Sequence, residues 1–253
     1  MNFVFHIIIP ARLSATRLPG KPLVSIGGRP MIEWVWRCAR ASGAASITIA
    51  TDDERIRAAA AGFGAEAVLT SREHLSGTDR IAEVVRARGF APDAIVVNLQ
   101  GDEPLTPPAV LARAAAAVRE RPSVDIATVA TPILSLEEFL DPNCVKVVCA
   151  RDGGALYFSR APVPWPRERV TADRPTSYGG ALRHIGIYAY RVRSLLEFAA
   201  WPPTPLEAAE KLEQLRALEH GMRIHVVVLS EAPPAGVDTP EDLERVRAVL
   251  GGA

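Results

Sequence analysis

Phe3-Val4-Phe5-His6-Ile7-Ile8-Ile9-Pro10-Ala11-Arg12-Leu13-Ser14-Ala15-Thr16-Arg17-Leu18-Pro19-Gly20-Lys21-Pro22 passes without interruption from an apolar run into a basic loop. Apolar residues occupy both parities of residues 3–9, the pattern of a strand covered on both faces. The next segments repeat the rhythm. Helical spacing follows at 31–42, 54–61, 78–88 and 108–121, and strand-like runs lie at 46–50, 94–99 and 125–131. Strands alternating with helices predict an α/β fold, a doubly wound, mostly parallel sheet of Rossmann-like type.

Between residues 143 and 190 the rhythm changes. Strand-like runs at 145–150, 155–159 and 184–190 surround a proline-rich loop from 162 to 175, which predicts an antiparallel β insertion. Helices are expected again at 192–200 and 205–220, then a strand at 224–229 and a helix at 240–250. Two helix starts are well marked. Thr204-Pro205-Leu206-Glu207 and Thr239-Pro240-Glu241-Asp242 each place Thr at the N-cap, Pro at the first turn and an acid three residues on. The 205–220 helix should bury Leu206, Leu212, Leu215 and Leu218, leaving Gln214 off that stripe. Ala114 to Ala117 reads as alanine-rich helix surface. The motif order favours one domain over 1–253, with the β-rich segment at about 143–190 inserted in it.

Bulk properties narrow the function. The 253 residues carry 29 basic and 29 acidic side chains, a formal net charge of zero, which argues against broad binding to nucleic acid. No apolar run approaches the roughly 18 residues needed to span a bilayer, and the N-terminus has no basic leader, so a cytoplasmic protein is expected. Cys38, Cys144 and Cys149 form neither a disulfide framework nor a zinc pattern. They read as reduced core thiols.

In an open parallel sheet, ligands bind where loops leave the carboxyl ends of the strands. The loop after the first strand holds Arg12, Arg17, Gly20 and Lys21, one of only three lysines in the chain. Glycine admits close backbone approach, arginine offers a planar fork and lysine a point charge, a combination suited to a polyphosphate. A solvated basic loop is the plainer alternative. The loop is not a Walker A motif. The single GxGxxA match, at Gly62 to Ala67, follows a helix and precedes a strand, the reverse of a dinucleotide site.

Pro10 to Leu23 resembles the N-terminal signature of the CMP-Kdo synthetases, within the broader family of sugar-activating nucleotidyltransferases. The resemblance continues through His74-Leu75-Ser76-Gly77-Thr78-Asp79-Arg80, Asn98-Leu99-Gln100-Gly101-Asp102-Glu103-Pro104 and Asn143-Cys144-Val145-Lys146-Val147-Val148. Further blocks are Ala155 to Arg160, Arg183 to Tyr188, Leu212 to Arg216 and Gly236 to Leu243, so it covers essentially the whole chain.

The resemblance implies transfer of CMP from CTP to Kdo, with Mg²⁺ as cofactor and a homodimer as the assembly. It implies that Pro10, Ala11, Arg12, Arg17, Lys21, Ser76, Gly77, Thr78 and Gln100 bind the nucleotide. Asp102 and Asp238 would ligate the metal and, with Arg12 and Lys21, form the catalytic set. The sugar acid would be held by Arg80, Arg160, His184, Tyr188, Glu213 and Gln214. Each position has a plainer reading: Ser76 or Thr78 as a helix cap, Arg80 as a surface arginine, His184 and Tyr188 as half-buried residues on one strand face. The alternatives are a cytidylyltransferase for another sugar acid, such as sialic acid or 8-amino-Kdo, and a non-catalytic nucleotide-binding protein on the same fold.

Overall fold

The computed structural model describes residues 3–14, 18–167, 178 and 180–251. Arg17 and the later part of the proline-rich loop lie outside the described residues. The strands are β1 (His6–Ala11), β2 (Ser25–Ile26), β3 (Arg29–Pro30), β4 (Ser46–Thr51), β5 (Glu66–Leu69), β6 (Ile95–Asn98), β7 (Ile126–Pro132), β8 (Lys146–Cys149), β9 (Ala155–Ser159), β10 (Leu182–Arg191) and β11 (Ile224–Val228). The helices are α1 (Met31–Ala41), α2 (Glu54–Gly62), α3 (Gly77–Arg88), α4 (Pro108–Glu120), α5 (Leu136–Leu140), α6 (Val192–Phe198), α7 (Pro205–Glu210), α8 (Gln214–Glu219) and α9 (Pro240–Leu250).

The main sheet runs β11-β7-β10-β6-β1-β4-β5. All its neighbours are parallel except β10, which is antiparallel to both β6 and β7. Alternate residues of each strand enter opposite cores. Ile7, Ile9, Ile49, Val97 and Val129 pack with α1, α2 and α4 on one face, while Ile8, Val96, Ile126 and Ala130 pack with α3, α6 and α8 on the other. The mostly parallel, doubly wound architecture expected from the rhythm is therefore the observed one.

Three details differ from the sequence reading. The run 184–190 belongs to β10, a central strand of the main sheet. Only its first residues, Leu182 and Arg183, pair with β8 of the β8–β9 hairpin. The helix expected over 205–220 is two short helices, because Lys211 adopts a left-handed conformation with φ 54°. That break leaves Leu206 39% exposed, whereas Leu212 and Leu215 are buried. Finally, Ala114, Ala115 and Ala117 are buried in the core, not on the surface. Their small side chains let α4 lie close against the sheet.

A smaller apolar cluster places the C-terminal helix. Ile26 and Met31 pack against Val237, Leu243 and Val246. Complete burial of a side chain like Val237 contributes about 1.5–3 kcal/mol, and it fixes the backbone beside Asp238. The cap expected at α9 is formed: Thr239 Oγ1 accepts from the Asp242 N–H at 3.2 Å, and Asp242 accepts from the Thr239 N–H at 3.0 Å. At α7, Glu207 accepts from the Thr204 N–H at 3.3 Å. All three cysteines are free thiols, and no helix among the described residues is long and apolar enough to cross a membrane.

Candidate active site

The loops after β1 and β6, the N-terminus of α3 and the segment before α9 surround a cleft of about 610 Å³. Pro10, Ala11, Arg12 and Lys21 line it from the first loop, Ser76, Gly77 and Arg80 from α3, Gln100, Gly101 and Asp102 from the β6 loop, and Asp238 from the segment before α9. The walls are set by close backbone contact. A Cβ on Gly101 would lie 2.9 Å from the Pro10 carbonyl oxygen, and one on Gly77 would lie 3.3 Å from Pro10 Cγ. Larger side chains at either position would push the loops apart.

Lys21 occupies the centre. Gly20 turns the chain at φ 70° into a short 3₁₀ turn, and the Lys21 ammonium reaches Asp102 Oδ2 at 2.6 Å and Asp238 Oδ1 at 2.9 Å. Burial pulls the lysine pKa down, but attraction to the two carboxylates outweighs it and the net shift is upward. Next to Asp102, the Glu103 carboxyl is pushed up to about 7, chiefly by burial and then by the charge of Asp102; it accepts a hydrogen bond from Thr106.

The donor set suits a hard divalent cation. Asp102 and Asp238 bring carboxylate oxygens from two distant parts of the chain to within hydrogen-bonding reach of the same positive charge. Among the described residues there is no cluster of three or more His, Cys, Asp or Glu that would hold a metal alone. Two carboxylates, with the other positions left to phosphate and water, make the ligand set of a cation that arrives with a nucleotide.

At α3, Ser76 is the N-cap: its hydroxyl accepts from the Asp79 N–H at 3.1 Å and Asp79 accepts from the Ser76 N–H at 3.2 Å. Thr78 points inward, 2% exposed, and donates to Glu213 Oε2 at 2.8 Å. Arg80 is not the surface arginine of the plainer reading. It is 3% exposed and bonds Asp52 Oδ2 at 2.9 Å and the Thr70 hydroxyl, while still forming part of the cleft wall.

The remaining sugar candidates are spread more widely. His184 lines a second cavity of about 270 Å³, which shares Asp102 and Asp238 with the first. Its Nε2 lies 2.9 Å from Thr128 Oγ1, its ring meets Phe158 edge-on, and burial lowers its pKa to about 3. Tyr188 stands beside it, 5.4 Å between ring centroids, across a bulge in β10. Arg160 donates to the backbone carbonyls of Glu210 and Pro142. Glu213 is held between Thr78 and Arg216, and Gln214 is buried at the start of α8. Arg160, Tyr188, Glu213 and Gln214 line neither cavity.

Sequence reasoning missed the residues that connect these groups. Asn98 accepts from Gln100 Nε2 at 3.2 Å and also hydrogen-bonds Tyr190, which in turn bonds Thr78. Arg216, 6% exposed, joins Glu213 to Glu207 and to the Trp201 carbonyl. A polar residue at the end of an apolar strand, as at Asn98, was the available signal; Tyr190 and Arg216 gave none.

A cleft of this kind at the carboxyl ends of parallel strands, basic on one wall and acidic on the other, fits a nucleotide-transferring enzyme. The pattern of the cytidylyltransferase family matches residues 6–224, and the chain belongs to that family. It is 54% identical over 252 residues to the 3-deoxy-manno-octulosonate cytidylyltransferase of Pseudomonas fluorescens, covering 99% of each chain. The enzyme of the same name from Pseudomonas syringae pv. syringae is 52% identical, with both chains fully covered. Among solved structures, CMP:2-keto-3-deoxy-manno-octonic acid synthetase complexed with CTP superposes with a TM-score of 0.89 at 41% identity, covering 99% of each chain. A cytidylyltransferase from Leptospira borgpetersenii, at 16% identity and a TM-score of 0.63, shares the fold.

Proposed function

We propose that the protein transfers CMP from CTP to Kdo, 3-deoxy-D-manno-octulosonate, releasing pyrophosphate and forming CMP-Kdo for lipopolysaccharide assembly in the cytoplasm. The observation that carries this reading is the convergence of Arg12, Lys21, Asp102 and Asp238 on one cleft. In such a transfer the Kdo anomeric hydroxyl attacks the α-phosphorus in line. A new O–P bond forms as the bond to the pyrophosphate oxygen breaks, and no protein nucleophile is needed.

Each residue has a place in that step. Arg12, Arg17 and Lys21 neutralise the triphosphate, and Pro10, Ala11, Ser76, Gly77, Thr78 and Gln100 form the nucleotide side. Asp102 and Asp238 would hold Mg²⁺, which when bound supplies charge neutralisation at the phosphate and makes the attacking hydroxyl more acidic. Arg80, Arg160, His184, Tyr188, Glu213 and Gln214 form the sugar side, a mixture of donors, acceptors and cations suited to a polyhydroxy acid. Because Arg160, Tyr188, Glu213 and Gln214 line neither cavity, sugar binding would require the segment after β9 and the start of α8 to present Arg160, Glu213 and Gln214 to the cleft, and the cleft to open towards Tyr188 on β10.

The β-rich segment at about 143–190 would serve both sugar binding and homodimer formation. Its supporting feature is apolar exposure: Leu156 and Trp165 within it are 61% and 64% exposed, Leu134 and Leu140 just before it are 63% and 49% exposed, and the Trp165 ring stacks near Phe139 of a small core with Ile133, Cys144 and Ala181. The function is tested by incubating the protein with Mg²⁺, each of the four common nucleoside triphosphates and a panel of sugar acids, then measuring pyrophosphate. Release only with CTP and Kdo is expected. Equal turnover with UTP or ATP, or a preference for sialic acid or 8-amino-Kdo, would replace the assignment.

A further inference from the structure

We infer that Lys21 is the internal counter-cation of the Asp102–Asp238 pair, and that the divalent metal gains this site only when a nucleotide triphosphate draws the lysine away. The inference rests on the reading of the two aspartates as metal ligands. It assigns Lys21 two stations, one on the carboxylates and one on the phosphates, and makes metal binding depend on nucleotide.

The backbones that carry the two carboxylates are held side by side. The Val237 N–H donates to the Asp102 carbonyl oxygen at 2.8 Å, joining the segment before α9 to the β6 loop. Gly236 lies so close that a Cβ there would stand 3.0 Å from that same oxygen and 3.3 Å from Glu103 Cγ. Val237 is fully buried behind it. The Asp238 N–H is held in turn by Asp242 at 3.0 Å. Backbone contacts thus hold the main chain at Asp102 and Asp238 in place, so that both carboxylates reach the same point in the cleft.

The lysine is different. Its backbone is fixed by the 3₁₀ turn, with the Lys21 N–H bonded to the Leu18 carbonyl and the Val24 N–H to that of Lys21, but its four-carbon stem can swing. It lines the same cleft as Arg12, where a triphosphate would lie. In the present arrangement the Lys21 ammonium lies between the two carboxylates, at 2.6 Å from Asp102 and 2.9 Å from Asp238. A metal arriving alone must break both charge-assisted bonds and leave a largely buried ammonium without a counterion, which is costly. A nucleotide offers the ammonium new acceptors, so the metal and the nucleotide each favour the other's binding to the same extent.

The probe is Mn²⁺, followed by electron paramagnetic resonance on the full chain at one pH, with and without a non-hydrolysable CTP analogue. Wild type should bind Mn²⁺ weakly alone and much more tightly with the analogue. Lys21→Met, which keeps the stem and removes the charge, should bind Mn²⁺ alone at least about tenfold more tightly than wild type. Adding Asp238→Asn to that variant should abolish the gain. Arg12→Met removes a cation from the same cleft that does not bridge the aspartates, and should change Mn²⁺ affinity without nucleotide by less than about twofold.

If a folded Lys21→Met binds Mn²⁺ no better than wild type, or if Arg12→Met gives the same gain, Lys21 is not the occupant of the site. If Lys21→Met does not fold, the wild-type comparison decides: equal Mn²⁺ affinity with and without the analogue overturns the inference. Failure of the metal reading itself looks different. Asp238→Asn would then leave Mn²⁺ binding unchanged in every background, including with nucleotide.

Discussion

The proposed nucleotide side and the proposed sugar side of this protein are built in different ways. On the nucleotide side, loops leave the ends of parallel strands and are pinned by backbone contacts at Gly77, Gly101 and Gly236, and their polar side chains face one cleft. On the proposed sugar side, Arg80 lies on α3, Arg160 just after β9, His184 and Tyr188 on β10, and Glu213 and Gln214 at the start of α8, and several are bonded within the fold: Arg160 to Glu210, Glu213 to Thr78 and Arg216, His184 to Thr128. The first arrangement points its side chains into an open cleft. To bind a sugar acid, the second would have to exchange internal hydrogen bonds for substrate, so that its residues would combine a structural and a binding role.

That contrast predicts unequal consequences of mutation. The largest should come from Lys21→Ala, which removes a cation assigned to the triphosphate and should lower kcat/KM by roughly two or more orders of magnitude. Steady-state kinetics with CTP and Kdo checks it, and a near-wild-type value would leave Lys21 as a structural bridge between Asp102 and Asp238. Asp238→Asn comes next. With the α9 cap supplied by Thr239 and Asp242, loss of one charge should cost at most about 1 kcal/mol of stability, while kcat drops by at least roughly 10–100-fold and the Mg²⁺ requirement rises. Melting temperature and kcat against Mg²⁺, measured on one preparation, check this, and a stable, active variant with unchanged metal dependence would rule out a metal shared by Asp102 and Asp238.

On the sugar side the effects should be smaller and selective. His184→Ala and Gln214→Ala should raise KM for Kdo up to about tenfold, the worth of a hydrogen bond lost at each, with little change in CTP affinity. Calorimetric titration of CTP alone checks this, and a large loss of CTP affinity in both variants would erase the division between the two sides.

The last effect is on stability and concerns pH. His184 remains neutral in the folded chain down to about pH 3, because burial disfavours the charged ring, whereas its unfolded value is 6.5. The unfolded chain therefore binds the extra proton between these values, and stability falls as pH drops from about 6.5 towards 3, by at most about 1.4 kcal/mol per pH unit for this one group. His184→Gln should lack that part of the slope. Urea unfolding of both proteins at pH 7 and pH 5 measures the difference, and identical slopes would show that the ring is accessible to protons.

The same contrast explains how much was legible in sequence. Strands with apolar residues on both parities, such as Ile7 to Ile9, and capped helices such as α9 carry local signals, so the fold and the loop of Arg12 and Lys21 could be read directly. Placing Asp102 in the cleft followed from its position just after an apolar run. The sugar side resisted because its contacts span long sequence distances: Thr78 to Glu213, or Arg160 to Glu210, leave no trace in periodicity. The β10 bulge between Ile185 and Tyr188 adds an irregularity, and the break at Lys211 required a left-handed residue that is not glycine. The burial of Arg80, against its plainer reading as a surface arginine, was hidden for a related reason. Its partners Asp52 and Thr70 come from other loops, so its burial could not be inferred from its own helix.

The central claim is the transfer itself, and phosphorus NMR follows it atom by atom. With enzyme, Mg²⁺, CTP and Kdo together, the three CTP resonances should give way to pyrophosphate and one phosphodiester signal in equal molar amounts, and omission of Kdo should leave CTP intact. Free CMP in place of the diester, or an unchanged CTP spectrum with all components present, would contradict the account.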